Sequence, residues 1–294
     1  MRHRFGGDWT TQKLDVLAKY LAAYTTALSK KRFKLGYIDA FAGTGYREPT
    51  KQPDDGSDNW LFDELANDEP QKMLAGSAAL ALETTPRFDK YIFVERSAAR
   101  CAALKSLGER YPDKADAIIV RQEDANVAIR EIASKKWGQT HRAVLFLGPY
   151  GMQVEWSTIE AVAQTGAIDL WLLFPLGIGV NRLAKRDGDI PPSWCRRLDL
   201  LLGTKDWYDE FYAVERSVDL FGNEVEHVVK ATQETIGQYF VKRLTTVFPR
   251  VAPEPLVLRN RTGCPLYLLC FAAANPGRGG QIAVTIANHL LKRM

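Results

Sequence analysis

The chain has 294 residues, of which 46% are hydrophobic, 25% charged and 11% aromatic, enough apolar material for a real core, which excludes disordered and fibrous classes. Its 39 Lys and Arg against 35 Asp and Glu leave a net charge of +4 spread along the chain, compatible with a nucleic-acid partner without arguing for one. The cysteines, Cys101, Cys195, Cys264 and Cys270, are far apart and form no CxxC pair, so neither a zinc site nor a disulfide scaffold is expected.

From Thr10 to about Arg32, Leu14, Leu17, Ala18, Leu21 and Leu28 recur at helical spacing, with Asp8 or Thr10 as the expected N-cap. Apolar runs then alternate with helical stretches: strand 35–41, helix 77–83, strand 90–95, helix 98–110, strand 117–121, helix 126–136, strand 143–147, helix 157–164 and strand 168–174. This alternation implies right-handed crossovers and a mainly parallel sheet within a single domain. Strands such as Ala143-Val144-Leu145-Phe146-Leu147 have no period-2 alternation and so are expected to be buried on both faces. Late strands 255–259 and 265–273 predict an antiparallel pair at the sheet edge, before a helix from about 280 to 292.

Two segments break the rhythm. Residues 46–76 are rich in Asp and Glu and read as an acidic insertion, either a rim over the site or a disordered loop. Residues 177–226 contain Trp and Tyr, are mostly helical in pattern without strand signals, and read as a helical, substrate-facing insertion. No stretch reaches the roughly 18 apolar residues of a membrane span. The opening Met-Arg-His-Arg-Phe-Gly-Gly lacks a signal-peptide core, so a cytoplasmic protein is expected.

The strand Tyr37-Ile38-Asp39-Ala40-Phe41 runs into Ala42-Gly43-Thr44-Gly45, a glycine-rich turn at the end of an apolar strand, where backbone can approach a nucleoside ligand. The dinucleotide fingerprint needs a third glycine where Glu48 stands and an acid about 20 residues on, so NAD is disfavoured. Glu95, closing the next strand, is placed to accept hydrogen bonds from both hydroxyls of a ribose. Asp124-Ala125, after the third strand, suits an adenine amino group and edge, although Asp124 is equally a helix N-cap. Acids at successive strand ends describe S-adenosylmethionine binding.

Trp9 to Tyr24, Asp39 to Gly45, Gly76-Ser77-Ala78, Phe93-Val94-Glu95, Gly148 to Trp156 and Pro265 to Ala272 together resemble the bacterial three-Cys-motif partner proteins. That resemblance implies a Rossmann-like class I methyltransferase sheet, mainly parallel with an antiparallel edge and helices on both faces. It also implies S-adenosylmethionine as cofactor and a neighbouring three-cysteine protein as partner. The cofactor contacts expected are Asp39, Phe41, Gly43 and Gly45 on the first strand and turn, Ser77 on the following helix, Glu95 and Arg96 on the second strand, and Asp124 with Ala125 on the third.

The fourth strand ends in Gly148-Pro149-Tyr150-Gly151, where the family pattern is Asp-Pro-Tyr/Phe-Gly, similar to the loop with which amino-group nucleic-acid methyltransferases orient an exocyclic amine. Gly148, Pro149 and Tyr150 are therefore the expected catalytic positions, with the acid replaced by glycine. That departure admits a different target atom, an inert homologue that binds cofactor as a scaffold for its partner, or an engineered inactivation. Glu155 reads as a helix N-terminus or a catalytic acid. Arg182, Lys185, Arg196 and Arg197 around Trp194 form a candidate nucleic-acid surface or an ordinary solvated one. Asn275 to Gly280 reads as a turn or a phosphate nest. His3, His141, His227 and His289 have no metal-ligand spacing.

Overall fold

Strands without alternation must be covered on both sides, and the strand order shows how. The structure, a computed structural model, describes residues 8–41, 69–138, 140–218 and 224–293. Helix α1 (Asp8–Leu28) precedes β1 (Lys34–Ala40), α2 (Glu69–Glu83), β2 (Lys90–Glu95), α3 (Ala98–Lys105), α4 (Leu107–Arg110) and β3 (Ile118–Gln122). Then come α5 (Ala125–Ser134), β4 (His141–Leu147), α6 (Trp156–Gln164), β5 (Ile168–Phe174), α7 (Asn181–Leu183), α8 (Pro192–Leu202) and α9 (Trp207–Phe211). The rest is β6 (Tyr212–Val218), β7 (Glu224–Lys230), α10 (Gln233–Thr245), β8 (Arg250–Val251), β9 (Leu256–Arg259), β10 (Pro265–Ala273) and α11 (Arg278–Lys292).

The main sheet runs β3-β2-β1-β4-β5-β10-β8, with β9 also paired to β10. Strands β1 to β5 are parallel to one another, and β10 is antiparallel to β5, β8 and β9. The expected antiparallel pair thus exists, with β10 one place in from the edge. Chain order reverses between β1 and β4, and the carboxyl ends of the strands at such a reversal are the usual ligand position in open parallel sheets.

Two cores cover the two faces. One packs α1, α2, α3 and α11 on Tyr37, Phe93, Val144, Phe146, Trp171 and Phe271. The other packs α5, α6, α8, α9 and α10 on Ile38, Ala40, Leu145, Leu147, Leu170 and Phe174. Asp124 caps α5 by accepting from the N–H groups of Asn126 and Val127, and Thr232 caps α10 through Thr235 N–H. Helix α8 stops at Gly203 in the left-handed region (φ 69), where a Cβ would lie 2.1 Å from the Trp156 ring, so only glycine lets the chain turn there.

Helix α1 begins at Asp8, so Asp8 and Thr10 are helical residues. Helix α2 starts at Glu69, which moves 69–76 out of the expected acidic insertion; the remainder, with Gly43 and Gly45, lies outside the described residues.

The expectation of a strand-free 177–226 is corrected, because β6 falls inside it and pairs antiparallel with β7. The hairpin is exposed, with Val214, Val228 and Val229 in solvent, so no burial periodicity marks it in the sequence. The helices of this segment do not stand apart either: Leu183, Leu198, Leu201, Leu202, Trp207 and Phe211 belong to the core under the sheet. Residues 227–253, without an expected element, supply most of β7, with α10 and β8. Among the described residues, no helix is long and apolar enough to cross a membrane.

Candidate cofactor site and acceptor loop

Residues alternate across a strand, so Tyr37 and Asp39 on β1, Phe93 and Glu95 on β2, and Phe146 and Gly148 beyond β4 share the face under α1. At the carboxyl end of β1, Asp39 is buried, accepts from Tyr37 Oη at 3.2 Å, and is hydrogen-bonded by the Ser77 hydroxyl. Burial pushes its carboxyl up to about 7; the Ser77 and Tyr37 bonds and the Lys13 charge oppose the rise, and Glu95 adds to it. Phe41 follows in the left-handed region (φ 64), a strained conformation for a bulky residue, at the last described position before residue 69.

Lys13 is the residue that the sequence reading missed. It projects from α1 and is 1% exposed, with its Nζ 5.3 Å from the centre of the Trp9 ring and 5.7 Å from that of Phe146. Burial pushes its ammonium down to about 7, opposed by the charge of Asp39. The available signal was its place on the stripe that α1 buries, Trp9, Lys13, Val16, Tyr20 and Tyr24, since a fully buried lysine needs a reason.

Glu95 ends β2, buried. Its Oε1 accepts from Ser97 N–H at 2.7 Å, with Arg100 3.8 Å away, while Oε2 is buried with no hydrogen-bond partner among the described residues. A buried acceptor without a donor is costly unless a ligand supplies one. Arg96 beside it is exposed. Asp124 is exposed and uses Oδ1 for the helix cap, and Ala125 is buried as the first residue of α5.

At the end of β4, Gly148 N–H donates to Ala40 O at 3.5 Å. A Cβ on Gly148 would lie 2.8 Å from Cε1 of Phe146, so the phenyl ring occupies the space into which a carboxylate side chain would start. Pro149 is buried and Tyr150 half-buried; the Tyr150 carbonyl accepts from Tyr267 Oη at 3.0 Å, and the Tyr267 ring stacks on Trp9 at 5.2 Å. Glu155 is ion-paired with Arg130 at 2.6 Å and thereby engaged in structure.

The basic candidates leave the same carboxyl edge, after β5. Arg182, Arg196 and Arg197 are exposed, and Lys185 Nζ lies 5.7 Å above the Trp194 ring. Asn275 accepts from Gly277 N–H at 2.9 Å, a turn that closes on itself before α11. Of the histidines, His141, His227 and His289 are exposed, and His3 lies outside the described residues. Among the described residues no group of three His, Cys, Asp or Glu side chains is placed to hold a metal ion.

Strand order, the antiparallel β10 and helices on both faces define a Rossmann-like α/β fold of the class I methyltransferase type. No family model matches this chain, and no curated protein does. Among solved structures, protein LPL1258 from Legionella pneumophila is similar at 13% identity, over 98% of this chain and 92% of that one, with a TM-score of 0.43. The putative methyltransferase yhhF from Escherichia coli is similar at 12% identity over 73% and 86%, TM-score 0.29. A spermidine synthase in complex with the transition-state analogue AdoDATO is similar at 9% over 93% and 63%, TM-score 0.36.

Proposed function

We propose that this chain binds S-adenosylmethionine and transfers its methyl group to an amino group of a nucleic-acid base. The observation that carries the cofactor reading is the buried Oε2 of Glu95 at the second strand end, which has no hydrogen-bond donor among the described residues. A ribose hydroxyl is the donor that it lacks. The buried Lys13 ammonium suits a carboxylate, which places the amino-acid end of the cofactor over β1 and the adenine toward Asp124 and Ala125. When bound, the cofactor supplies a methyl group already activated on a sulfonium.

What remains for the protein is to align the attacking atom. Gly148 offers no side chain, and the Tyr150 carbonyl is engaged by Tyr267. The carbonyls of Gly148 and Pro149 then accept the N–H groups of the acceptor, and the Tyr150 ring stacks on its base. Arg182, Lys185, Arg196 and Arg197 hold phosphates beside it, with Trp194 among them.

Calorimetry with S-adenosylhomocysteine tests the reading. The protein binds it, and Glu95→Ala weakens binding by about 1.5–3 kcal/mol, the range for a hydrogen bond to a charged group. Failure of the unmutated protein to bind removes the class. Nucleic-acid binding falls with rising salt through counterion release, and replacing the four basic residues by Ala together abolishes most of it. Unchanged RNA and DNA affinity in that variant removes the nucleic-acid surface.

A second reading is favoured by Gly148 and the Phe146 ring beside it: a cofactor-binding scaffold for a three-Cys-motif partner, without catalysis. Tritiated cofactor offered with RNA, DNA and protein fractions, with and without that partner, separates the two. Methyl incorporation by the chain alone eliminates the scaffold.

A further inference from the structure

Asn126 is the second residue of α5, next after the pair assigned to the adenine, yet its side chain turns away toward the loop that follows β4. It is 5% exposed, and its side-chain hydrogen bonds among the described residues go to that loop or the helix after it. Nδ2 donates to Gln153 O at 2.8 Å; Oδ1 accepts from Glu155 N–H at 3.0 Å and from Thr158 Oγ1 at 2.9 Å. Gln153, gripped by its carbonyl, holds Gly151 N–H through its own Oε1 at 2.9 Å. Arg130, one turn further along α5, adds contacts to Glu155, Ser157 and Thr158.

We infer that Asn126 is a positioning residue that ties the Gly148–Glu155 acceptor loop to the adenine side of the cofactor site, so that cofactor binding sets the loop. The inference rests on the cofactor reading above. Its physical basis is a short, continuous chain of bonds. Asp124 Oδ1 accepts from Asn126 N–H at 2.9 Å, so an adenine held by Asp124 and Ala125 fixes the first turn of α5. Asn126 passes that constraint to Gln153, and Gln153 passes it to Gly151, the neighbour of Tyr150. A buried amide with its donor and acceptor both satisfied holds one geometry, because any shift leaves a polar atom unpaired.

Amide hydrogen exchange with S-adenosylhomocysteine tests this on the intact chain and on Asn126→Ala and Asn126→Asp. In the unmutated protein the ligand slows exchange at Gly151 at least tenfold. Asn126→Asp keeps the acceptor for Glu155 and Thr158 but loses the donor to Gln153, so it retains protection at Glu155 and ligand affinity within about threefold, yet loses the ligand effect at Gly151. Asn126→Ala loses protection at both amides, and if it does not fold, Asn126→Asp decides alone. Ligand bound without any change at Gly151, or the same change in Asn126→Asp, overturns the coupling. Failure of the unmutated protein to bind the ligand removes the cofactor reading and the coupling with it. The bracing of the loop is then judged apart, by whether Gly151 exchange without ligand rises in the variants.

Discussion

Among the carboxyls buried on the face under helix α1, Asp169 and Asp39 differ in company. Asp169, near the amino end of β5, accepts from Tyr20 Oη at 2.7 Å, and burial pushes it up to about 7, against the Tyr20 bond and the charge of Arg142. Asp39, near the carboxyl end of β1, is pushed to the same value by the same cause, but shares its surroundings with buried Lys13 and with Glu95. Burial and a raised pKa are therefore no mark of a site in this protein. What sets Asp39 apart is the second acid and the buried cation beside it, and these are the features on which the proposed cofactor site rests.

The largest effect that separates the two acids is on stability against pH. An acid whose folded pKa lies above its unfolded value of 3.8 keeps, in the folded chain, a proton that the unfolded chain has released. Stability therefore falls as pH rises from about 4 to about 7, by up to about 1.4 kcal/mol per pH unit for each such group. Asp169→Asn keeps an acceptor for Tyr20 and flattens that slope by one group's share, several kcal/mol over the window, with S-adenosylhomocysteine affinity unchanged. Asp39→Asn flattens it too and also alters ligand binding. Urea unfolding from pH 4 to 8 checks this; an unaltered slope in Asp169→Asn means that Asp169 is ionised in the folded chain.

The sequence made the sheet legible and the site only in part, and the reason is the same for both. Strands buried on both faces, such as 143–147 and 168–174, carry their identity in composition, and the acids Asp39 and Glu95 stand at strand ends where spacing alone locates them. The β6–β7 hairpin is solvent-exposed, so burial left no pattern to read. Lys13 and Tyr267 reach the site from α1 and β10, at opposite ends of the chain, and only the folded packing brings them to Asp39 and Tyr150. Phe146 read as an ordinary core residue of β4. That its ring fills the room beside Gly148 depends on the two residues sharing a face at the strand's end.

Lys13→Met sharpens the comparison from the cation's side. Methionine fills a similar volume without a charge, so the cost of burying an ammonium and its attraction to Asp39 disappear together, and urea unfolding measures the balance. Ligand affinity falls by about 1.5–3 kcal/mol, the worth of a charged hydrogen bond. The ammonium is present below about 7 and lost above it. Affinity of the unmutated protein accordingly declines as pH rises through 7, and that of Lys13→Met does not follow it. Parallel pH profiles for the two proteins would place the carboxylate of the ligand away from Lys13.

Gly148→Asp brings a further carboxyl onto the face that already holds Asp39 and Glu95, and asks whether company alone makes a site. The new Cβ would meet the Phe146 ring at 2.8 Å, and that ring packs against Lys13, so the substitution must displace a buried aromatic. Overpacking of this kind costs about 1–3 kcal/mol, and urea unfolding of the single variant should show it. The smaller side chain in Phe146→Leu opens room beside position 148, so the double variant Gly148→Asp with Phe146→Leu is less destabilised than the sum of the two singles. Methyl transfer separates sterics from chemistry. If an acid at this strand end orients the acceptor, the double variant transfers about 10²–10⁴ times faster than the unmutated chain, the range for a positioned acid–base group, while the single variant gains less because its carboxyl is misplaced. Additive stabilities would mean that Phe146 does not fill the acid's place. Equal transfer rates would mean that the backbone of Gly148 and Pro149 already does what a carboxylate does elsewhere, and that glycine here is a working choice of acceptor loop.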